Sequence, residues 1–88
     1  MQVFYHKQFK KDIKNCIKAG KDTNKIKLVI KKLMNEEPLN PRYKLHRLTG
    51  NYKDRYECHI EPDWLLIFKQ NENELFFERT GSHSKLFK

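Results

Sequence analysis

Three histidines, an aspartate and an arginine in the C-terminal half of this chain are the residues whose types and spacing could do chemistry together. His46 precedes a predicted turn, His59 lies near the end of a predicted strand, and His83 follows the last one. Asp63 follows His59 by four residues across a turn, and Arg79 lies four residues before His83. Because short turns join antiparallel strands, we expect one face of a sheet to collect all five side chains.

Such a set suits the cleavage of RNA without a metal ion. That reaction needs a base to deprotonate the 2′-hydroxyl, an acid to protonate the leaving 5′-oxygen, and a cation to stabilise the phosphate in the transition state. Histidine changes its charge near neutral pH and can serve in either proton-transfer role, whereas arginine keeps its charge and binds phosphate through two nitrogens. The residue types therefore suggest a ribonuclease without specifying one.

Each of these residues also has a purely structural interpretation. A single histidine on a strand is more often hydrogen-bonded and structural than catalytic. Asp63 could shape the turn in which it lies, and Arg79 could pair with Glu57 or Glu78 across the sheet. A metal site built from the three histidines and Asp63 is a further alternative, but no local ligand spacing supports it.

The charge of the chain is unevenly distributed. The 88 residues carry a net charge of +8. Residues 1–44 hold 12 basic and 4 acidic residues, whereas residues 45–88 hold 7 of each, so the surplus lies in the N-terminal half. We expect that half to attract a polyanion, either nucleic acid or an acidic protein. The alternative is a lysine-rich surface that only keeps the protein soluble.

Length and hydropathy limit the possible classes of protein. This length allows one domain, spanning residues 1–88, with a single modest core. No apolar run approaches the roughly 20 residues of a membrane span, and no secretory signal is visible, so we expect a cytoplasmic protein without a membrane partner. Cys16 and Cys58 form no disulfide or zinc pattern, and we expect two buried free thiols.

The predicted elements that would position the chemistry make an α+β fold, in the order β-α-α-β-β-β-β. Apolar residues at spacings of three and four predict two basic helices, one from Lys7 to a stop at Gly20 and one capped by Asp22 or Thr23. After Pro41 the pattern changes to aromatic and β-branched strands, and we expect one antiparallel sheet with two helices packed on it. The predicted strands are Gln2 to Tyr5, Tyr43 to Leu48, Arg55 to Ile60, Trp64 to Lys69 and Leu75 to Thr80, with turns at residues 49–51, 61–63 and 71–73 and a short tail at residues 82–87.

Two motifs in this half are long enough to compare with a known family. Residues 57–68 read ECHIEPDWLLIF, and residues 78–87 read ERTGSHSKLF. Together they resemble the YafQ branch of the RelE/ParE toxin superfamily, in which a His-x-x-Pro-Asp-Trp run is followed by Arg-Thr-Gly-(Ser/Thr)-His and a terminal Leu-Phe. Residues 43–53, YKLHRLTGNYK, fit the branch's His-x-Leu-x-Gly-x-aromatic element.

The resemblance implies a compact fold like that of the microbial ribonucleases and a toxin of a type II toxin–antitoxin pair. Such toxins cleave mRNA, usually in the A site of the 30S ribosomal subunit, use no metal or other cofactor, and are neutralised by a cognate antitoxin protein. Carried over by position, the active-site residues are His46, His59, Asp63, Arg79, His83 and Phe87, with Trp64, Lys53 and Arg55 in contact with the substrate.

The resemblance also implies a role for each of these residues. Asp63 with His59 would act as or support the general base, and His83 would be the general acid. Arg79 would stabilise the transition-state phosphate, and His46 would contact the scissile phosphate or orient a neighbour. Phe87 would stack on a base or order it.

Three other functions stay open on the sequence. A sister toxin of the ParE kind would poison DNA gyrase, but those relatives are not expected to carry the three histidines. A non-catalytic nucleic-acid-binding domain would lose function when helix lysines are changed to glutamate and keep it in His83→Ala. A decayed toxin without its antitoxin is the third.

Overall fold

A computed structural model describes residues 2–50 and 54–87 of the chain. The helices and strands of these residues make the α+β class that the sequence predicts, including both N-terminal helices. In chain order the elements are β1 (Gln2–Tyr5), α1 (Lys7–Lys18), α2 (Thr23–Met34), a short 3-10 helix (Pro41–Tyr43), β2 (His46–Arg47), β3 (Arg55–Glu61), β4 (Trp64–Gln70), β5 (Glu74–Gly81) and α3 (His83–Leu86).

The two long helices begin where the sequence predicts, and α1 ends before its predicted stop at Gly20. Gly20 follows α1 with φ +78°, a left-handed conformation that glycine adopts without steric cost, so it ends the helix. Asp22 caps α2, because its Oδ1 accepts a hydrogen bond from the backbone N–H of Asn24 at 3.0 Å. The apolar stripes of both helices are buried against the sheet at Phe9, Cys16, Ile26, Val29 and Leu33.

The sheet is mixed and not wholly antiparallel as predicted. Its strand order is β1-β5-β4-β3-β2. β3, β4 and β5 pair antiparallel, but β1 pairs parallel to β5, with Val3 opposite Leu75 and Tyr5 opposite Phe77. The antiparallel expectation was wrong for β1 because the first and last strands lie far apart in sequence, and no turn between them fixes their direction.

The segment predicted as a strand from Tyr43 to Leu48 is mostly not a strand. Pro41 opens a 3-10 helix whose cap, Lys44, has the left-handed φ of +49°. Proline fixes φ near −65° and so favours a helical turn at this point. Only His46–Arg47 pairs with β3. Residues 51–53, which include the end of the predicted turn at 49–51, lie outside the described residues.

The strand β4 is buried on both sides and separates two apolar clusters. Trp64, Leu66 and Phe68 face the helices, on what we call the helix face of the sheet. Leu65 and Ile67 face the other way, on the open face, where Leu86 and Phe87 pack on Leu65 and Ile67. The predicted C-terminal tail is therefore ordered as α3, and it covers part of the open face.

Among the described residues, no helix has the length and apolar character needed to cross a membrane.

Candidate active site

The strand register brings the predicted residues of the sheet into one row on the open face. His46 pairs with Glu57, which pairs with Ile67. Ile67 in turn pairs with Arg79. Directly paired residues project from the same face of a sheet, so these four residues form what we call the histidine row. His59 shares that face because it lies two residues beyond Glu57 on β3.

Glu57 lies between two imidazoles. Its Oε1 is 3.4 Å from Nε2 of His46 and 3.4 Å from Nε2 of His59. The Glu57 side chain is only 8% exposed, whereas those of His46 and His59 are 49% and 24% exposed. One buried carboxylate thus joins two more accessible histidines into a single cluster.

Backbone carbonyls determine which ring nitrogens of these histidines carry a hydrogen. Nδ1 of His46 lies 2.7 Å from the carbonyl oxygen of Lys44, and Nδ1 of His59 lies 3.2 Å from that of Pro62. A carbonyl oxygen only accepts, so both Nδ1 atoms donate. Both Nε2 atoms then lie on the side of Glu57, each 3.4 Å from its Oε1. A carboxylate in this position can accept a hydrogen bond from either Nε2 once that nitrogen is protonated.

The turn between β3 and β4 is held from two sides. From β3, Nδ1 of His59 donates to the carbonyl oxygen of Pro62 in the turn. From α2, Lys25 donates to Oε2 of Glu61 at 2.7 Å, and this hydrogen bond lowers the pKa of the Glu61 carboxyl. These contacts hold Glu61 and Pro62, and so they fix the position of the next residue, Asp63.

Asp63 connects this turn to α3. Its Oδ1 accepts a hydrogen bond from the backbone N–H of His83 at 3.1 Å. The imidazole of His83 is exposed and lies 4.9 Å from the ring of Phe87, centroid to centroid. A series of contacts therefore leads from Glu57 through His59 and the Pro62 carbonyl to the next residue, Asp63, which binds the backbone N–H of His83.

Arg79 belongs to the histidine row, but its guanidinium points to α1. Nε of Arg79 lies 2.8 Å from Oδ2 of Asp12, and its Nη2 lies 3.4 Å from Oδ1. Asp12 also accepts from the backbone N–H of Thr80 at 3.1 Å and from Gln8 at 3.2 Å. The structural alternative of an Arg79 pair with Glu57 or Glu78 is therefore wrong, because the partner of Arg79 is Asp12.

Trp64 lies beneath the site and offers no surface to a substrate. Its side chain is fully buried, and its indole N–H donates to Oγ1 of Thr80 at 2.9 Å. That hydroxyl donates to the carbonyl oxygen of Leu65 at 2.7 Å. The predicted substrate contact by Trp64 does not agree with this burial, and the residue instead anchors β4 to β5 directly after Asp63.

Of the two other predicted substrate contacts, Lys53 and Arg55, the structure describes only Arg55. Lys53 lies outside the described residues. Arg55 is half-buried at the start of β3, and its Nε lies 2.6 Å from Oε1 of Glu78. Within residues 2–50 and 54–87, no group of three or more His, Cys, Asp or Glu side chains is arranged to hold a metal ion.

Sequence reasoning missed two carboxylates, Glu57 and Asp12. Glu57 carries a recoverable signal, because it lies two residues before His59 on a predicted strand and so shares its face. Asp12 carries none, because nothing in the chain shows that a polar residue of α1 meets β5 some 67 residues later.

The comparisons with known proteins agree with this architecture. Residues 1–88 match the family described as "Bacterial toxin of type II toxin-antitoxin system, YafQ". The mRNA interferase toxin YafQ of Escherichia coli K12 is 45% identical over 97% of this chain and 94% of its own length.

Solved structures give the same result. The crystal structure of YafQ from E. coli BL21(DE3) has a TM-score of 0.97 at 42% identity and covers 99% of this chain and 98% of its own. The toxin in the crystal structure of the E. coli DinJ–YafQ complex has a TM-score of 0.94 at 43% identity, with the same coverage of both chains.

Proposed function

Because this chain belongs to the YafQ family of bacterial toxins of type II toxin–antitoxin systems, we propose that it is an endoribonuclease that cleaves mRNA and so inhibits translation. The observation that carries the proposal is the continuous set of contacts from His46 through Glu57, His59 and the β3–β4 turn to Asp63 and His83. It offers imidazoles at both ends of one site. Family membership favours this activity over gyrase poisoning.

In this mechanism His59 is the general base. Its Nε2 takes the proton from the 2′-hydroxyl, the 2′-oxygen forms a bond to phosphorus, and the bond between phosphorus and the 5′-oxygen breaks. Glu57 supports His59 by accepting from Nε2 once that atom is protonated. We assign this supporting role to Glu57 in place of Asp63 because Oε1 of Glu57 lies 3.4 Å from Nε2 of His59.

His83 is the general acid that protonates the leaving 5′-oxygen. Its exposed imidazole can reach a substrate, and Asp63 keeps the start of α3 in place by accepting from the His83 backbone. Phe87 lies against the His83 ring and orders it or a neighbouring base.

Arg79, His46, Lys53 and Arg55 complete the proposed site. Arg79 stabilises the charge on the phosphate, and Asp12 holds one edge of its guanidinium so that the remaining N–H groups are oriented. His46, at the outer end of the histidine row, contacts the scissile phosphate or orients Glu57. Lys53 and Arg55 are proposed to bind neighbouring parts of the substrate.

The partners follow from the same proposal. The cognate antitoxin is a protein that neutralises the toxin, as DinJ forms a complex with YafQ of E. coli. We place the cleavage on mRNA in the A site of the 30S ribosomal subunit, in the cytoplasm. There the lysines of α1 and α2 would contact ribosomal RNA phosphates without reading sequence.

Product chemistry tests this function. Purified protein is incubated with mRNA, with and without ribosomes, and EDTA is added only to the ribosome-free reaction because ribosomes need Mg²⁺ to stay assembled. We expect cleavage that leaves a 2′,3′-cyclic phosphate and that stops when a 2′-deoxynucleotide occupies the cleavage position. If free mRNA is cleaved, loss of that cleavage in EDTA would contradict the metal-independent mechanism. Intact mRNA under every condition would contradict the function itself.

A further inference from the structure

A pair of stacked phenylalanines lies on the open face beside the histidine row. Phe4 on β1 pairs with Phe76 on β5, and their ring centroids are 4.8 Å apart with the planes tilted by 15°. Phe4 is 40% exposed although it is a large apolar side chain at the edge of the sheet. An aromatic ring in that position presents one flat surface to an incoming molecule.

Cationic side chains lie next to this pair in the same register. Phe76 pairs with Lys69 on β4, and Lys69 pairs with Arg55 on β3. Lys69 is exposed, and none of the described residues forms an ion pair with it. Glu78, which lines the same cavity as Phe4 and Lys69, is already engaged with Arg55 at 2.6 Å. The four residues Phe4, Phe76, Lys69 and Arg55 form what we call the aromatic row.

The aromatic row continues the proposed catalytic surface. Lys69 lies two residues beyond Ile67 on β4, and Phe76 lies one strand away from Lys69. At about 3.4 Å per residue along a strand and about 4.8 Å between strands, Phe76 is roughly 8 Å from the centre of the histidine row. A short stretch of extended RNA is therefore long enough to contact both rows.

We propose that the aromatic row is a binding subsite for single-stranded RNA next to the cleaved phosphodiester, in which a base stacks on Phe4 and Lys69 contacts the backbone phosphate. Exposed aromatic rings on a sheet face, accompanied by cations, bind single-stranded nucleic acid in this way, because every base has a flat face and every nucleotide a charge. The proposal rests on the ribonuclease function above and extends its substrate beyond the scissile phosphate.

Cleavage kinetics under the condition in which the wild type cleaves mRNA test the subsite. We expect Phe4→Ala to lower kcat/KM by about 5- to 150-fold, the range that loss of one base–aromatic stack produces. Phe4→Trp should restore it, because the indole keeps the stacking surface. Lys69→Ala should weaken binding and lower the salt dependence by about one phosphate contact, whereas Lys69→Arg should retain both.

Two further measurements separate binding from folding and from other occupants. Ile17→Ala, which removes a 57% exposed apolar side chain from α1, is the matched control and should cleave like the wild type. RNA with a single photoreactive 4-thiouridine at each position flanking the cut should cross-link to the peptides that contain Phe4 or Phe76 from one flanking position.

The possible results are distinct. A wild type that cleaves RNA while Phe4→Ala cleaves equally well would overturn the subsite and leave the ribonuclease function intact. So would a Phe4→Ala variant that cleaves normally but no longer co-purifies with the antitoxin, because the row would then be an antitoxin surface. A wild type that cleaves no RNA would refute the proposed function first.

Discussion

At the scale of single residues, the proposed chemistry depends on a carboxylate that two imidazoles share. Glu57 is buried, yet its Oε1 lies 3.4 Å from a ring nitrogen of both His46 and His59. A charged group buried to this degree needs a hydrogen-bonding partner, and a protonated imidazole supplies one. In the proposed proton transfer Glu57 is therefore coupled to His59, because it accepts from the protonated Nε2.

Glu57→Gln tests this coupling. The amide has the shape of the carboxylate, but it cannot accept a proton or carry charge, so we expect the cleavage rate to fall by roughly tenfold or more. Asp54→Asn is the matched control, because Asp54 is 61% exposed and only 3.8 Å from the exposed Arg47. Equal rates for Glu57→Gln and the wild type in a cleavage assay would contradict the shared role.

The cysteines give a prediction about reactivity. Both are free and buried, as the sequence predicts. Burial, and to a smaller extent the charge of Glu57, raises the pKa of the Cys58 thiol to about 12. The thiolate is the reactive form, so Cys58 in the native protein should resist iodoacetamide up to about pH 9 and react after unfolding in urea. Mass spectrometry would reveal the adduct, and rapid native labelling would contradict the burial.

Residue types predicted most of the candidate site, and contacts supplied the rest. The three histidines and Asp63 could be proposed from sequence because imidazoles near turns are informative by type. The contact partners could be predicted only in part. Alternation along β3 places Glu57 on the same face as His59, but the contact between His46 and Glu57 depends on the register of β2 against β3. Trp64 looked like a surface aromatic beside Asp63, but strand alternation turns its ring into the core.

At the scale of elements, the buried carboxylate of Asp12 adds polar contacts to the apolar packing between α1 and the sheet. β1 ends opposite Phe77, so among the described residues the backbone of β5 beyond Phe77 pairs with β4 on one side and has no strand on the other. Asp12 accepts from the Thr80 N–H there and also pairs with Arg79. One side chain thus satisfies an open sheet edge and orients the cation of the proposed site.

Asp12→Ala should therefore destabilise the protein markedly. Removing one partner of a largely buried ion pair leaves the other charge uncompensated, and we expect the free energy of unfolding to fall by about 3 kcal/mol. Asp22→Ala removes the exposed N-cap of α2 and should lower it by about 1 kcal/mol. Urea unfolding measures both, and equal losses would show that Asp12 is only another surface carboxylate.

The elements themselves were predicted with uneven success for identifiable reasons. The helices follow from local signals, namely apolar spacing, the Asp22 cap and the Gly20 stop, which need no knowledge of distant chain. The parallel pairing of β1, the 3-10 turn at Pro41 and the register shift between Ile67 and Phe68 depend on tertiary contacts. The last of these has a consequence for function, because register decides which residue of β5 joins the histidine row.

At the scale of the whole molecule, charge and chemistry lie on different elements. The basic surplus belongs to the N-terminal half, where α1 and α2 cover the helix face of the sheet. The proposed catalytic groups lie on the open face and around α3. A polyanion as large as a ribosome can contact both surfaces at once, whereas a short RNA needs only the open face.

Neutralising two lysines of α2 tests whether the basic helices bind ribosomal RNA separately from the catalytic groups on the open face. Lys27 and Lys31 are exposed and one helical turn apart. We expect Lys27→Gln/Lys31→Gln to weaken binding to ribosomes and to reduce the slope of log affinity against log salt by about two. Glu36→Gln/Glu37→Gln is the control of opposite sign and should not weaken binding. An unchanged salt slope in the lysine variant would contradict ribosomal RNA contact through α2.

The central claim is that His83 acts in the cleavage of mRNA on the ribosome. The most direct test maps 5′ ends of an mRNA in a purified translation reaction with wild type, His83→Ala and His6→Asn. His6 is the histidine outside the proposed site, and asparagine preserves its cap on α1. We predict new ends at in-frame codon positions with wild type and His6→Asn, and none with His83→Ala. New ends with His83→Ala, or intact mRNA with wild type, would contradict the account.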